Sequence, residues 1–354
     1  MTLCAALMRA IPNGARLSAP PRKSRASRRI LFSCRMSLGI FFAATAAVIW
    51  ATSSLMVKAQ AARVDTLSFN AFRVIVGALF FFALLPFFGG WQLVLQITPL
   101  TLATLAASVV LGFCIGDSIY FWSMTQIGAS RAMPISGVYP VFTWLLAVPL
   151  LGEQVTPQAL LGTVLVLGAL FLLSREKPAD ADEANDMVIA PSVETGTPTL
   201  STRARYLGVA AAVGAALMWA CATTLLRMGI QMQQPVTLYD NVQQSVLVSA
   251  YRLTIAALVL TPLTQWLKGS RVWDSYRGRA KWGQIALAVY STGIGSLFFV
   301  LGVALAGAAR AALLNSASPL IGVLFSWLFL KEKLTRRVWA GTALALTGVW
   351  LVLI

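Results

Sequence analysis

Beyond residue 37 the chain alternates apolar stretches of about 20 residues with short polar breaks. At the 1.5 Å rise of an α-helix, a run of that length crosses a hydrocarbon core about 30 Å thick. Each stretch is therefore a candidate membrane-spanning helix. The pattern predicts ten of them, over 38–57, 67–88, 102–124, 129–151, 157–174, 207–229, 242–264, 282–304, 308–330 and 336–354. A soluble helical protein needs a polar face on its helices, and these runs hold few polar residues to make one. The predicted fold class is an all-α membrane protein.

Two segments fall outside this pattern. Residues 1–37 carry Ser, Ala and Pro with eight Lys or Arg and no acid, and read as a disordered basic tail. "LCAALM" is too short for a signal-peptide core. Between the fifth and sixth spans, residues 175–206 are rich in Asp, Glu, Pro, Ser and Thr and read as a flexible linker. The remainder divides into halves of five spans each, 38–174 and 207–354.

The halves are copies of one another. Gly39, Ala43, Ala47 and Ala51 recur as Gly208, Ala212, Ala216 and Ala220, all 169 positions later, and Trp50 recurs as Trp219. Small residues every fourth position let helix backbones approach closely in lipid. "AFRV" at 71–74 matches "AYRL" at 250–253, and "GASRA" at 128–132 matches "GAARA" at 307–311, both 179 positions apart. Pro140 and Glu153 recur at the same spacing as Pro319 and Glu332. Because five spans is an odd number, the second copy enters the membrane from the opposite side, giving the inverted repeat typical of secondary transporters.

Composition agrees with a membrane protein: 58% of residues are hydrophobic and 11% charged, against about 25% charged in soluble domains. The absence of histidine removes His triads, proton shuttles and His metal ligands. Cys4, Cys34, Cys114 and Cys221 form no CxxC pair, so neither a zinc site nor a disulfide framework is predicted. No metal or cofactor is expected. The net charge of +16 lies in the tail and loops rather than on an aromatic-interleaved patch, which argues against nucleic acid and for the lipid bilayer as partner.

Within the spans, polar residues are few enough to be informative. Pro140 and Pro319 are expected to bend their helices and free a carbonyl one turn upstream. Ser136, Tyr139 and Thr143 share a face of the fourth span, and Asn315 and Ser318 occupy matching positions in the ninth. These are read as cavity-lining, substrate-binding residues, against the plainer alternative that the hydroxyls bond back to their own helices. Trp50 and Trp219 complete that set. Asp117 is the one carboxylate well inside a span, where burial costs about 2.5–3.5 kcal/mol and demands a partner, water or a proton. Arg73 and Arg252, at matching places in the second and seventh spans, are its candidate partners. The position equivalent to Asp117 is Ser296, so the halves differ chemically here. Glu153, followed by Thr156 as an N-cap and Pro157, reads as a tight corner between helices.

The chain resembles the EamA-like members of the drug/metabolite transporter superfamily. The resemblance rests on a Trp near the end of each copy's first helix, "FR" or "YR" in the second, and "P…F…LLGEQVT…LLG" or "P…LFLKEKLT…WAG" across the last two, over residues 38–354. It implies a ten-helix inner-membrane carrier with both termini cytoplasmic, acting by alternating access on small metabolites such as amino-acid-like compounds, with export the expected direction. A monomer is expected. The four-helix multidrug relatives carry a glutamate in the first helix, whereas "FFAATAAVIWATSSLMV" has no acid, which disfavours their cation/proton antiport. The positive-inside rule runs against the implied orientation, because the loops it places outside hold more Lys and Arg than those inside. A membrane enzyme would need paired carboxylates or an activated nucleophile in the spans, and a passive channel has no use for duplicated halves.

Overall fold

The computed structural model describes residues 25–58, 66–88, 92–95, 97–127, 132, 135–154, 156–174, 202–233, 237–276, 281–318, 321, 325, 328 and 336–353. Among these residues the chain is helical, with no strand. We number the main helices α1 (Arg25–Lys58), α2 (Thr66–Leu84), α3 (Pro99–Val109, continuing through a π-helical turn at Val110–Gly116 into Asp117–Ile127), α4 (Tyr139–Leu151) and α5 (Pro157–Ser174). The second half follows as α6 (Thr202–Met232), α7 (Leu238–Lys268), α8 (Lys281–Ala288, a π-helical turn at Val289–Ile294, then Gly295–Ala306), α9 (Ala308–Ser316) and α10 (Arg336–Leu353). Six segments, in α1, α2, α3, α6, α7 and α8, are long and apolar enough to cross a membrane, and α4 and α5 are shorter apolar helices.

Several boundaries differ from expectation. α1 begins at Arg25, so residues 25–37 are helical rather than part of a disordered tail. No proline or glycine interrupts the chain between Pro21 and Gly39, and the helix runs on from the apolar span unbroken. Likewise α6 starts at Thr202, within the expected linker, because no helix breaker lies between Pro198 and Gly208. Residues 1–24 and 175–201, the rest of the predicted tail and linker, lie outside the described residues, as do Pro319 and Glu332. Cys34 is disulfide-bonded although no such bond was expected. Cys114 and Cys221 are free.

The helices pack in pairs that exchange the two halves. α1 lies against α8 and α6 against α3, while α2 pairs with α7, α4 with α9 and α5 with α10. The small-residue stripes make the first two contacts. Ala43, Ala47, Ala212, Ala216 and Ala220 are fully buried. A Cβ on Gly39 would lie 2.4 Å from the Ala306 nitrogen, and one on Gly208 would lie 2.5 Å from Cγ2 of Ile127. Ala306 and Ile127 are themselves repeat equivalents, 179 apart. Between these contacts α2 and α7 bury Ala71, Val74, Phe81, Val246, Ala250 and Leu253 in one apolar cluster.

Candidate functional site

Local breaks in regular helix position the site. Pro140 has no N–H to donate to the Ser136 carbonyl and disfavours helical backbone before it. The predicted bent helix is consequently a broken one: the chain turns at Gly137–Val138, and α4 starts afresh with Pro140 at its second residue. The N-cap Val138 has φ −75° and ψ −3°, and its repeat equivalent Ala317, closing α9, has φ −80° and ψ −7°. Both N–H groups reach back three residues, Val138 to Ile135 and Ala317 to Leu314. The two halves thus break at the same place, and Ala317 reports this even though Pro319 lies outside the described residues.

The π-helical turns of α3 and α8 start at equivalent residues, Val110 and Val289. Such turns shift helical register and cluster at functional sites. Here the first ends on a glycine, Gly116, and the second runs directly into one, Gly295, and a tryptophan of the other half rests on each. A Cβ on Gly116 would lie 2.9 Å from Cδ1 of Trp219, and one on Gly295 would lie 2.8 Å from Nε1 of Trp50. The polar ends differ. Trp50 Nε1 donates to the Ser291 carbonyl at 2.9 Å, whereas Trp219 Nε1 donates to Oδ1 of Asp117 at 2.9 Å.

Asp117 is the hub of the cluster. Its Oδ2 lies 3.5 Å from Nη2 of Arg73, whose Nε donates to Oδ1 of Asn70 at 2.8 Å. The side chains of Arg73 and Asp117 keep 26% and 18% of their surface accessible, and both sit within segments long and apolar enough to cross a membrane, where an ionised group needs a partner or water. Around them the Trp219 ring lies 5.0 Å from Tyr120 and 6.0 Å, edge-on, from Tyr139. Tyr120 is hydrogen-bonded to Ser136. Tyr139 donates to the Ala312 carbonyl at 2.7 Å and accepts from Nδ2 of Asn315 at 3.1 Å. Asp117, Arg73, Trp219, Ser136, Tyr139 and Asn315 therefore form one continuous polar and aromatic cluster between α2, α3, α4, α6 and α9.

Other predicted residues stand apart from it. Thr143 is fully buried and donates back to the Tyr139 carbonyl at 2.9 Å, the plainer alternative for a helical hydroxyl. Ser318 is half-buried beyond the turn at Ala317, with no hydrogen bond to the cluster among the described residues. Trp50 serves the matching position on α8, packed 5.1 Å from Phe299. Arg252 is not the partner of Asp117: its guanidinium lies 6.0 Å from the centre of the Phe113 ring, and Arg73 lies 5.7 Å from the same ring.

Sequence reasoning missed three participants. Phe113 and Tyr120 carry no signal beyond being aromatic in an apolar span. Glu153, read as a corner, also reaches across the halves: it accepts from the Ala308 and Ala309 nitrogens at 2.7 and 3.2 Å, capping α9, and lies 3.8 Å from Nε of Arg227. Arg227 in turn donates to the Ala304 carbonyl at the end of α8. The corner itself forms as expected, with the Ala159 nitrogen donating to Thr156 Oγ1 at 3.3 Å.

Comparison with known proteins gives a consistent picture. The profile of the EamA-like transporter family matches twice, over residues 37–175 and 206–354. An uncharacterized transporter of Archaeoglobus fulgidus is 25% identical over 325 residues, which cover 90% of this chain and 98% of that protein. One solved crystal structure superposes with a TM-score of 0.65 over 88% of this chain and 95% of its own; at 18% identity it speaks for the fold alone.

Proposed function

Because the chain belongs to the EamA-like transporter family, we propose that this multi-pass membrane transporter is a secondary carrier that exports a small metabolite across the inner membrane by alternating access. In this reading ten helices form two five-helix copies of opposite orientation, both termini are cytoplasmic, and the cluster around Asp117 lines the substrate cavity.

The observation that carries the reading is the exchange of equivalent contacts between halves. Trp219 rests on Gly116 and Trp50 on Gly295, and the fourth and ninth helices break at equivalent residues. Two inverted copies built this way can trade conformations, so that whatever one half does at one membrane face the other does at the opposite face. Broken helices supply the substrate with hydrogen-bonding groups that continuous helices keep to themselves. The Trp219, Tyr120 and Tyr139 rings supply apolar surface, and Asn315 and Ser136 supply polar contacts. A site of rings with a few convergent polar groups suits a small organic molecule of the amino-acid-like class. Asp117 orients Trp219 and compensates Arg73, which favours a structural and electrostatic role over that of an isolated proton carrier.

The test is flux in proteoliposomes screened against amino acids and related metabolites, with and without an imposed pH gradient. A carrier gives saturable flux and counterflow, uptake of labelled substrate accelerated by unlabelled substrate on the far side. Non-saturating flux without counterflow would instead identify a pore.

A further inference from the structure

The two halves hold equivalent arginines in very different settings. Arg73 has Asn70 on its Nε and Asp117 beside its Nη2. At the positions equivalent to Asn70 and Asp117 the second half has Ser249 and Ser296, so Arg252 has lost both partners. Arg252 is 7% exposed, its Nε is sealed from solvent without an acceptor, and no carboxylate pairs with it among the described residues. The guanidinium lies over the aromatic ring of Phe113, which it shares with Arg73. Ser245 and Ser249 precede it on the same face of α7, at i, i+4 and i+7, each 1% exposed and each with an unpartnered hydroxyl oxygen. Buried hydroxyls in a helix ordinarily bond back to it, as Thr224 does to the Ala220 carbonyl.

Among the described residues, one face of α7 therefore presents two buried hydroxyls and a guanidinium Nε without hydrogen-bond partners. Two arginines flank the Phe113 ring and the one aspartate beside them pairs with Arg73, so among the described residues Arg252 carries a positive charge without a carboxylate, within a segment long and apolar enough to cross a membrane. An unpaired charge in such a segment is costly and persists where a counter-charge arrives from outside the chain. Arginine is the side chain best suited to receive it, since its planar fork matches a carboxylate or phosphate with two parallel hydrogen bonds. Hydroxyl donors beside it add contacts to the same oxygens.

We propose that Arg252, with Ser249 and Ser245, is an anion subsite of the transport cavity, and that the transported metabolite carries a carboxylate or phosphate group. The inference rests on the carrier reading above and narrows its substrate class to organic anions and zwitterions whose acidic group docks on α7. The asymmetry between halves fixes the orientation of the bound molecule: acidic group towards Arg252, body towards Trp219 and Tyr139.

The full chain in nanodiscs of neutral phosphatidylcholine provides the test, with inorganic phosphate and propionate as anion probes and chloride and propionamide as controls. Binding is read by tryptophan fluorescence and thermal unfolding. The expected result is saturable binding of phosphate or propionate but not propionamide, weakened roughly tenfold or more by Arg252→Gln and only partly retained by Arg252→Lys, which keeps the charge but loses the planar fork. Without anions, Arg252→Gln is expected to be at least as thermally stable as the wild type, because it removes an uncompensated charge. Ser249→Ala, a smaller change, is expected to weaken the same probes severalfold. Equal binding of propionate and propionamide, no effect of Arg252→Gln on binding, or lower anion-free stability of that variant would each overturn the subsite. Stabilisation by anionic lipid with no response to either soluble anion would assign the charge to a lipid headgroup and overturn it too. Counterflow separates the two claims: counterflow restricted to solutes without a carboxylate or phosphate group defeats the subsite and leaves the carrier, and absent counterflow with intact anion binding defeats the carrier alone.

Discussion

Replacing Gly39 by alanine tests the contact between α1 and α8 that brings Trp50 onto Gly295. The added Cβ would lie 2.4 Å from the Ala306 nitrogen, 2.7 Å from Leu305 Cβ and 2.8 Å from the Leu305 carbonyl carbon. Ordinary contact begins at 3.4 Å, so the helices must part by about 1 Å, and the nearest obstacle is backbone, which cannot rotate away. Overpacking of this kind costs about 1–3 kcal/mol. Alanine also gains about 1 kcal/mol of helix propensity over glycine, which partly hides that cost. Gly283, on α8 with nothing within 4 Å of an added Cβ, carries the propensity gain alone. The difference between Gly39→Ala and Gly283→Ala therefore isolates the steric term, and should be about 1–3 kcal/mol against Gly39→Ala, roughly 5- to 150-fold in the folding equilibrium. Gly208→Ala should fall between them, because its nearest neighbour at 2.5 Å is a side-chain methyl of Ile127 that can shift. Steric-trap unfolding in bicelles measures all three. Gly39→Ala as stable as Gly283→Ala would refute the close packing.

Two further substitutions probe the polar links between halves. Glu153→Gln removes the charge that caps α9 and faces Arg227, and is expected to cost about 1–2 kcal/mol, seen as a fall of several degrees in thermal unfolding; an unchanged midpoint would show that the cap is incidental. Asp117→Asn should leave Arg73 uncompensated and lower the yield of folded protein by fluorescence-detected size exclusion, with partial recovery in the double variant Asp117→Asn, Arg73→Gln; additive losses would show that the two residues are not a pair.

Periodicity made the architecture legible in the sequence, while contacts between distant residues remained hidden. The stripe Gly39, Ala43, Ala47, Ala51 and its copy are local patterns of one helix face, and they sit where the backbones meet. Repetition at a fixed displacement singled out Pro140 and Arg73, and each occupies a structurally distinct place. By contrast, the bonds from Trp219 to Asp117 and from Ala308 to Glu153 join residues 102 and 155 apart, and depend on how the halves interleave. The π-helical turns at Val110 and Val289 leave no signature in hydropathy, since they alter register rather than composition. Thr143 is satisfied locally: its own helix offers an acceptor four residues back. Arg252 was noticed as a possible partner of Asp117, but its isolation follows from residues it lacks, Asn70 and Asp117 being replaced by Ser249 and Ser296.

The central claim, that the cluster between the broken helices lines a water-filled cavity opened alternately to each side, is tested most directly by cysteine labelling in sealed vesicles. In a background without the four native cysteines, Ser136→Cys and Asn315→Cys are expected to react with a membrane-impermeant thiol reagent applied from either side. Leu165→Cys and Leu344→Cys, packed between α5 and α10, are expected to stay unreactive from both. Equal labelling of the two sets, or silence at Ser136→Cys and Asn315→Cys from both sides, would contradict the account.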